Sequence, residues 1–85
     1  MQKFKLTKPI TIDGVAVHEI SLREPKVKDL IAISRKNLSD LERDVHLLAN
    51  LGEIPTEAIE NLEIADYLHI QSWLRGFLSP EMEVK

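Results

Sequence analysis

Ile10-Thr11-Ile12-Asp13-Gly14-Val15-Ala16-Val17 decides the architecture of this chain. Apolar and polar residues alternate on both sides of Asp13-Gly14. That dipeptide tolerates the positive φ angles a two-residue hairpin turn demands. Extending outward, Phe4, Leu6, Ile10 and Ile12 continue the first strand, and Ile20 and Leu22 continue the second. The apolar phase slips between Val17 and Ile20. Uniform pairing would turn Ile20 and Leu22 to the wrong face, because a one-residue offset exchanges the faces of a strand. One extra residue at His18-Glu19 repairs this, setting Ile20 near Lys8 and Leu22 near Leu6. The expectation is a hairpin over residues 3–23 with a β-bulge at His18-Glu19. Pro9 cannot donate to a ladder, which predicts an edge at that point.

Beyond Leu22 the apolar period changes from strand to helix. Pro25 suits a first helical position, where the missing N–H costs nothing. Val27, Leu30, Ile31, Ser34 and Leu38 share one helical face, so the first helix is expected to end at Asn37-Leu38. Ser39-Asp40-Leu41-Glu42 is a capping box. It opens a helix to about Leu51 that carries Leu41, Val45, Leu48 and Leu51 on one face, with Gly52 as its stop. Thr56 is expected to cap a short helix through Asn61. A last helix begins near Glu63 or Ile64 and ends before Ser79-Pro80. The fold class is therefore α+β, an N-terminal β-hairpin followed by three to four α-helices. The chain reads as one domain over 1–85, with a helical part over 25–78 and a frayed tail over 80–85.

The last helix is too apolar for an ordinary surface helix. Nine of the fifteen residues from Ile64 to Leu78 are apolar, among them the only Tyr, the only Trp and one of the two Phe residues. On an ideal helix they span an arc of roughly 220°, about twice what packing on a small core requires. Ile64, Tyr67, Leu68, Leu74 and Leu78 form the expected core stripe. The surplus stripe is Ile70, Trp73 and Phe77. Either it closes the core beneath the hairpin or it anchors a partner, and the two roles can coexist. Ile70, Trp73, Leu74 and Phe77 are the candidate partner-binding residues, since a large rigid side chain buries much area at low entropic cost.

Composition excludes several classes. The 85-residue chain contains no cysteine, so neither a disulfide nor a thiolate metal site supports its core. No run approaches the ~18 apolar residues of a membrane span, and the first residues lack the apolar stretch of a signal peptide. A soluble cytoplasmic protein is expected. No phosphate-cradling glycine loop and no nucleophile motif is present. His18, His46 and His69 are the only side chains that ordinarily titrate near neutral pH. Asp66 and His69 lie three apart on one helix, a two-ligand fragment whose plainer reading is a solvated polar pair. No catalytic, cofactor-binding or metal site is assigned, and the chain reads as a non-enzyme.

The formal net charge of −3 conceals an uneven distribution. Residues 1–38 carry eight Lys or Arg against four acids, whereas residues 39–85 carry three against ten. The basic first half could meet nucleic acid through Lys26, Lys28, Arg35 and Lys36. Against this stand the acidic total and the lack of an aromatic stacking platform on the hairpin.

The landmarks taken together carry a resemblance. They run from Lys8-Pro9-Ile10 and Ile12-Asp13-Gly14 through Glu19-Ile20-Ser21-Leu22-Arg23-Glu24-Pro25 and Lys26-Val27-Lys28-Asp29-Leu30. Leu47-Leu48-Ala49-Asn50-Leu51, Ile54-Pro55, Ile64-Ala65-Asp66-Tyr67-Leu68 and Gly76-Phe77-Leu78 complete the order. The chain resembles the small tail assembly chaperones of contractile-tailed, Mu-like and P2-like bacteriophages and prophages. The resemblance implies a non-enzymatic protein of the bacterial host cytoplasm, absent from the mature virion. Its implied partner is the phage tape-measure protein, shielded during tail morphogenesis, with neither nucleic acid nor membrane as partner. The alternatives are a small structural phage protein forming a fixed homo-oligomer and a nucleic-acid-binding module.

Overall fold

The computed structural model of the chain describes residues 1–78. Two antiparallel strands, β1 (Gln2–Ile12) and β2 (Val15–Leu22), form the hairpin. Four helices follow: α1 (Val27–Ser34), α2 (Asp40–Gly52), α3 (Thr56–Glu60) and α4 (Ile64–Leu78). The α+β expectation holds, with four helices. The expected tail over 80–85 lies outside the described residues.

Asp13 (φ 52°) and Gly14 (φ 79°) both adopt the left-handed conformation of the tight turn. Near the turn Ile12 opposes Val15 and Ile10 opposes Val17, as the alternation requires. The bulge, however, lies in β1 rather than at His18-Glu19. Past it, Lys5 opposes Glu19, Phe4 opposes Ile20 and Gln2 opposes Leu22. Leu6 to Pro9 thus face the single residue His18. The cause is local: Pro9 has no N–H to give the ladder, and the Thr7 N–H is directed elsewhere, to the Asp66 carboxylate on α4 (3.0 and 3.2 Å). The Thr7 hydroxyl donates to the same carboxylate at 3.0 Å. Asp66 is therefore no solvated partner of His69. It is a buried clamp between the hairpin and the last helix.

The hairpin contributes Phe4, Ile10, Ile20 and Leu22 to the core. Opposite them stands the C-terminal half of α2, where Leu47, Leu48, Ala49 and Leu51 are all buried. Ala58 and Ile59 of α3, Leu62, Ile33 of α1, and Ile70 and Leu74 of α4 complete it. The Ser39 capping box forms as expected, with Ser39 Oγ accepting from the Glu42 N–H and Glu42 Oε1 accepting from the Ser39 N–H. The left-handed residue that ends α2 is Glu53 (φ 55°), not Gly52. Gly52 answers a different need: a Cβ there would lie 2.9 Å from Leu22 Cδ2. The Arg23 N–H donates to the Leu51 carbonyl at 3.2 Å, joining the end of the hairpin to α2.

The first helix departs from its expected limits. It begins at Val27, with Lys26 extended as the N-cap and Pro25 outside. It closes at Ser34, where the Lys36 N–H turns back to the Ile33 carbonyl and the chain extends into Ser39. Asp29 sets its start. The carboxylate accepts from the Lys26 N–H (2.8 Å) and from both terminal nitrogens of Arg23 (2.8 and 2.9 Å). These Arg23 hydrogen bonds hold the buried Asp29 carboxyl below the usual carboxylate range against the opposing effect of desolvation.

Candidate protein-interaction site

Among the described residues, five of the large apolar side chains that remain exposed line two surface concavities: Val27, Leu30 and Phe77 one, Leu41 and Ile64 the other. Of these only Phe77 is among the candidate partner-binding residues read from the sequence. On α4 the buried side is Ile70 and Leu74, at 1% and 0% exposure. Both were candidate partner-binding residues, and both belong to the core cluster with Phe4 and Ile20 of the hairpin. Ile64 and Leu68, expected in the core, are 76% and 53% exposed. A nearly all-apolar helix offers several equivalent stripes, and only the position of the hairpin, set by the Thr7–Asp66 clamp, selects among them. The same inversion occurs on α1. Ile33 is its buried apolar residue, while Val27, Leu30 and Ile31 face outward. On α2, Leu41 leaves the expected core stripe and is exposed.

The first surface is an aromatic ridge continued by α1. Trp73 is half-buried and stands edge-on to Phe4 (centroids 5.5 Å apart) and to Phe77 (5.1 Å). Phe4 also meets the His69 ring edge-on at 5.7 Å. Edge-to-face contacts at these separations favour fixed ring orientations. Phe77 is 37% exposed and shares a surface concavity with Pro25, Lys26, Val27, Leu30 and Leu78. Of the four candidate residues on α4, then, Trp73 and Phe77 reach the surface and Ile70 and Leu74 are buried.

The second surface is a groove that no single segment of sequence announces. Leu41 and Val45, four apart on α2, form one wall. Ile64 and Tyr67, three apart on α4, form the other. Ile59 and Leu62 supply the floor and Glu60 a polar edge, enclosing about 260 Å³. Burial pushes the Tyr67 phenol above its ordinary pKa, with the nearby Asp44 carboxylate adding to the effect. Tyr67 Oη accepts from Gln71 Nε2 (3.3 Å), and Gln71 Nε2 also donates to Asp44 (2.9 Å). The signal for this groove lay in the i, i+4 pair on α2 and the i, i+3, i+4 set Ile64, Tyr67 and Leu68, which periodicity alone assigns to the core.

Among the described residues no group of three or more His, Asp or Glu side chains is placed to hold a metal ion. No helix there is long and apolar enough to cross a membrane. What the arrangement offers is contact area, organised on a small α+β frame, and that defines a protein-interaction module. A family model described as "Phage tail assembly chaperone proteins, E, or 41 or 14" matches residues 3–79. The chain belongs to this phage tail assembly chaperone family. No curated protein and no solved structure matches it.

Proposed function

We propose that this chaperone binds the phage tape-measure protein in the host cytoplasm and covers its apolar helices until the tail forms around them. The role is non-enzymatic, and the chaperone leaves before the virion is complete. The observation that carries the reading is the rigid, outward-facing ridge of Trp73 and Phe77 continued by Val27 and Leu30. Folding leaves Val27 71% and Phe77 37% exposed, so part of each apolar side chain stays in contact with water in the isolated chain. Contact with an apolar helix would cover both. The contribution of one such side chain, about 1–2 kcal/mol, corresponds to a five- to thirty-fold change in affinity.

The test is co-expression of the affinity-tagged chaperone with overlapping tape-measure fragments. Wild-type protein should retain at least one fragment. Phe77→Ser and Val27→Ser should each release most of it while both variants remain folded, Val27→Ser with thermal unfolding near wild type. Capture that is unchanged in both variants would remove the ridge from the client site. Failure of the wild-type protein to retain any fragment would remove the tape-measure protein as client.

A further inference from the structure

The groove between α2, α3 and α4 is a separate surface, and its chemistry differs from that of the ridge. Its walls are apolar side chains at helical spacing on two helices, the relief into which a third helix fits. Leu41 and Ile64, at its two sides, are 60% and 76% exposed, so the fold itself leaves them uncovered. The charge around them is one-sided. Of the eight acids in residues 40–68, Asp66 is engaged by the hairpin and Asp44 pairs with Arg75, which leaves six acids against the single base of that segment, Arg43. Arg43 lines a different concavity, with Leu30, Leu47 and Arg75. Glu60 stands in the groove wall, and Glu42 and Glu63 adjoin Leu41 and Ile64 in the chain. All three acids are exposed.

We propose that this groove binds an amphipathic helix of a partner protein whose apolar stripe is flanked by Lys or Arg. The apolar floor supplies affinity, and the acidic edge selects the sign of the flanking charge and the register of docking. The partly apolar α1 of a second copy, with Lys26, Arg35 and Lys36 flanking its ends, has similar chemistry. At eight residues it is only about 12 Å long, and Pro25 and the turn at Arg35 bound it closely. A longer continuous helix can follow both walls. The proposal rests on the client-shielding reading only for the source of such a helix, not for its chemistry.

A synthetic helix tests it without any phage component. The probe is a fluorescein-labelled peptide of about 18 residues with Leu at i, i+3, i+4 and i+7 spacing and Lys at the flanking positions. Its counterpart carries Glu at the same positions. Fluorescence anisotropy with the full chain should show the Lys peptide binding at least tenfold more tightly than the Glu peptide. That preference should shrink several-fold between about 50 and 500 mM salt. Leu41→Ser and Ile64→Ser, both at exposed positions, should each weaken binding fivefold or more. Glu60→Lys should erase the charge preference, and Phe77→Ser should leave binding unchanged. Equal affinity for the two peptides, absence of saturable binding, or sensitivity to Phe77→Ser alone would each overturn the proposal. So would a dimer, seen by sedimentation, that Ile64→Ser dissolves and the Lys peptide cannot displace. Peptide binding in the groove without capture of tape-measure fragments would sink the client reading and leave the groove assignment standing.

Discussion

Asp66→Ala should loosen the hairpin from the last helix at a single point. Asp66 is 6% exposed, and its carboxylate receives the Thr7 N–H, shared between Oδ1 (3.2 Å) and Oδ2 (3.0 Å), together with the Thr7 hydroxyl at 3.0 Å. Removing the carboxylate leaves the N–H at the bulge without an acceptor, because β2 offers only His18 opposite four residues of β1. The hydroxyl fares better, since Thr7 is exposed and water can replace its partner. The loss is therefore one full charge-assisted hydrogen bond and part of another, about 1.5–3 kcal/mol. For a domain of this size a 2 kcal/mol loss lowers Tm by about 8–16 °C. Thr7→Val, which keeps the N–H contact, should cost about 1 kcal/mol or less. Thermal and urea unfolding measure the cost, and amide exchange locates it: the Thr7 N–H should be protected in wild type and lose protection in Asp66→Ala. An Asp66→Ala unfolding curve within about 0.5 kcal/mol of wild type would refute the clamp. Free exchange of the Thr7 amide in wild type would do the same.

Two further outcomes follow from the packing. Ile70→Ala should cost about 2–5 kcal/mol as a buried truncation, whereas Leu68→Ala, two residues earlier and half exposed, should stay within about 0.5 kcal/mol. Chemical denaturation of the pair reports which side of α4 meets the core, and equal costs would contradict the assigned face. The lowered Asp29 pKa makes the folded state bind its proton less readily than the unfolded chain does. The stabilisation is therefore complete above the ordinary carboxylate pKa and is lost as pH falls through the lower, folded value. Asp29→Asn should be less stable at neutral pH and should lose less stability on acidification than wild type. Parallel acid limbs in Tm-versus-pH curves would speak against it.

The hairpin turn, the capping box and the start of α4 were legible because each depends on a few adjacent residues. The bulge was legible only as a parity. A phase slip between Val17 and Ile20 can be repaired by any odd number of extra residues in either strand. The chain uses three in β1, between Lys5 and Ile10, where one in β2 would also have restored the faces. What decides is Asp66, 59 residues from Thr7 in the chain. The buried faces of α1 and α4 were obscure for a related reason. Val27, Leu30 and Ile31 form a good helical stripe, yet Ile33 is the residue that α1 buries. On α4 nearly every stripe is apolar, so periodicity cannot rank them. Of the candidate partner residues, the aromatic pair Trp73 and Phe77 reaches the surface because Phe4 fills the space beneath Trp73. The groove was missed because its walls come from different helices, and each half looks like core when read alone.

The irregular edge of β1 also bears on self-aggregation. A two-stranded sheet has no interior strand, so each strand has an outer edge without a neighbour in the sheet. Here β1 carries Lys3, Lys5 and Lys8 on its exposed positions, and Pro9 and the bulge break the line of donors. An incoming strand would meet repelling charge and a ladder it could not continue. A protein that leaves Leu41, Ile64 and Phe77 exposed gains from offering no strand template beside them, since a flat, uncharged edge here would add a second route to self-association.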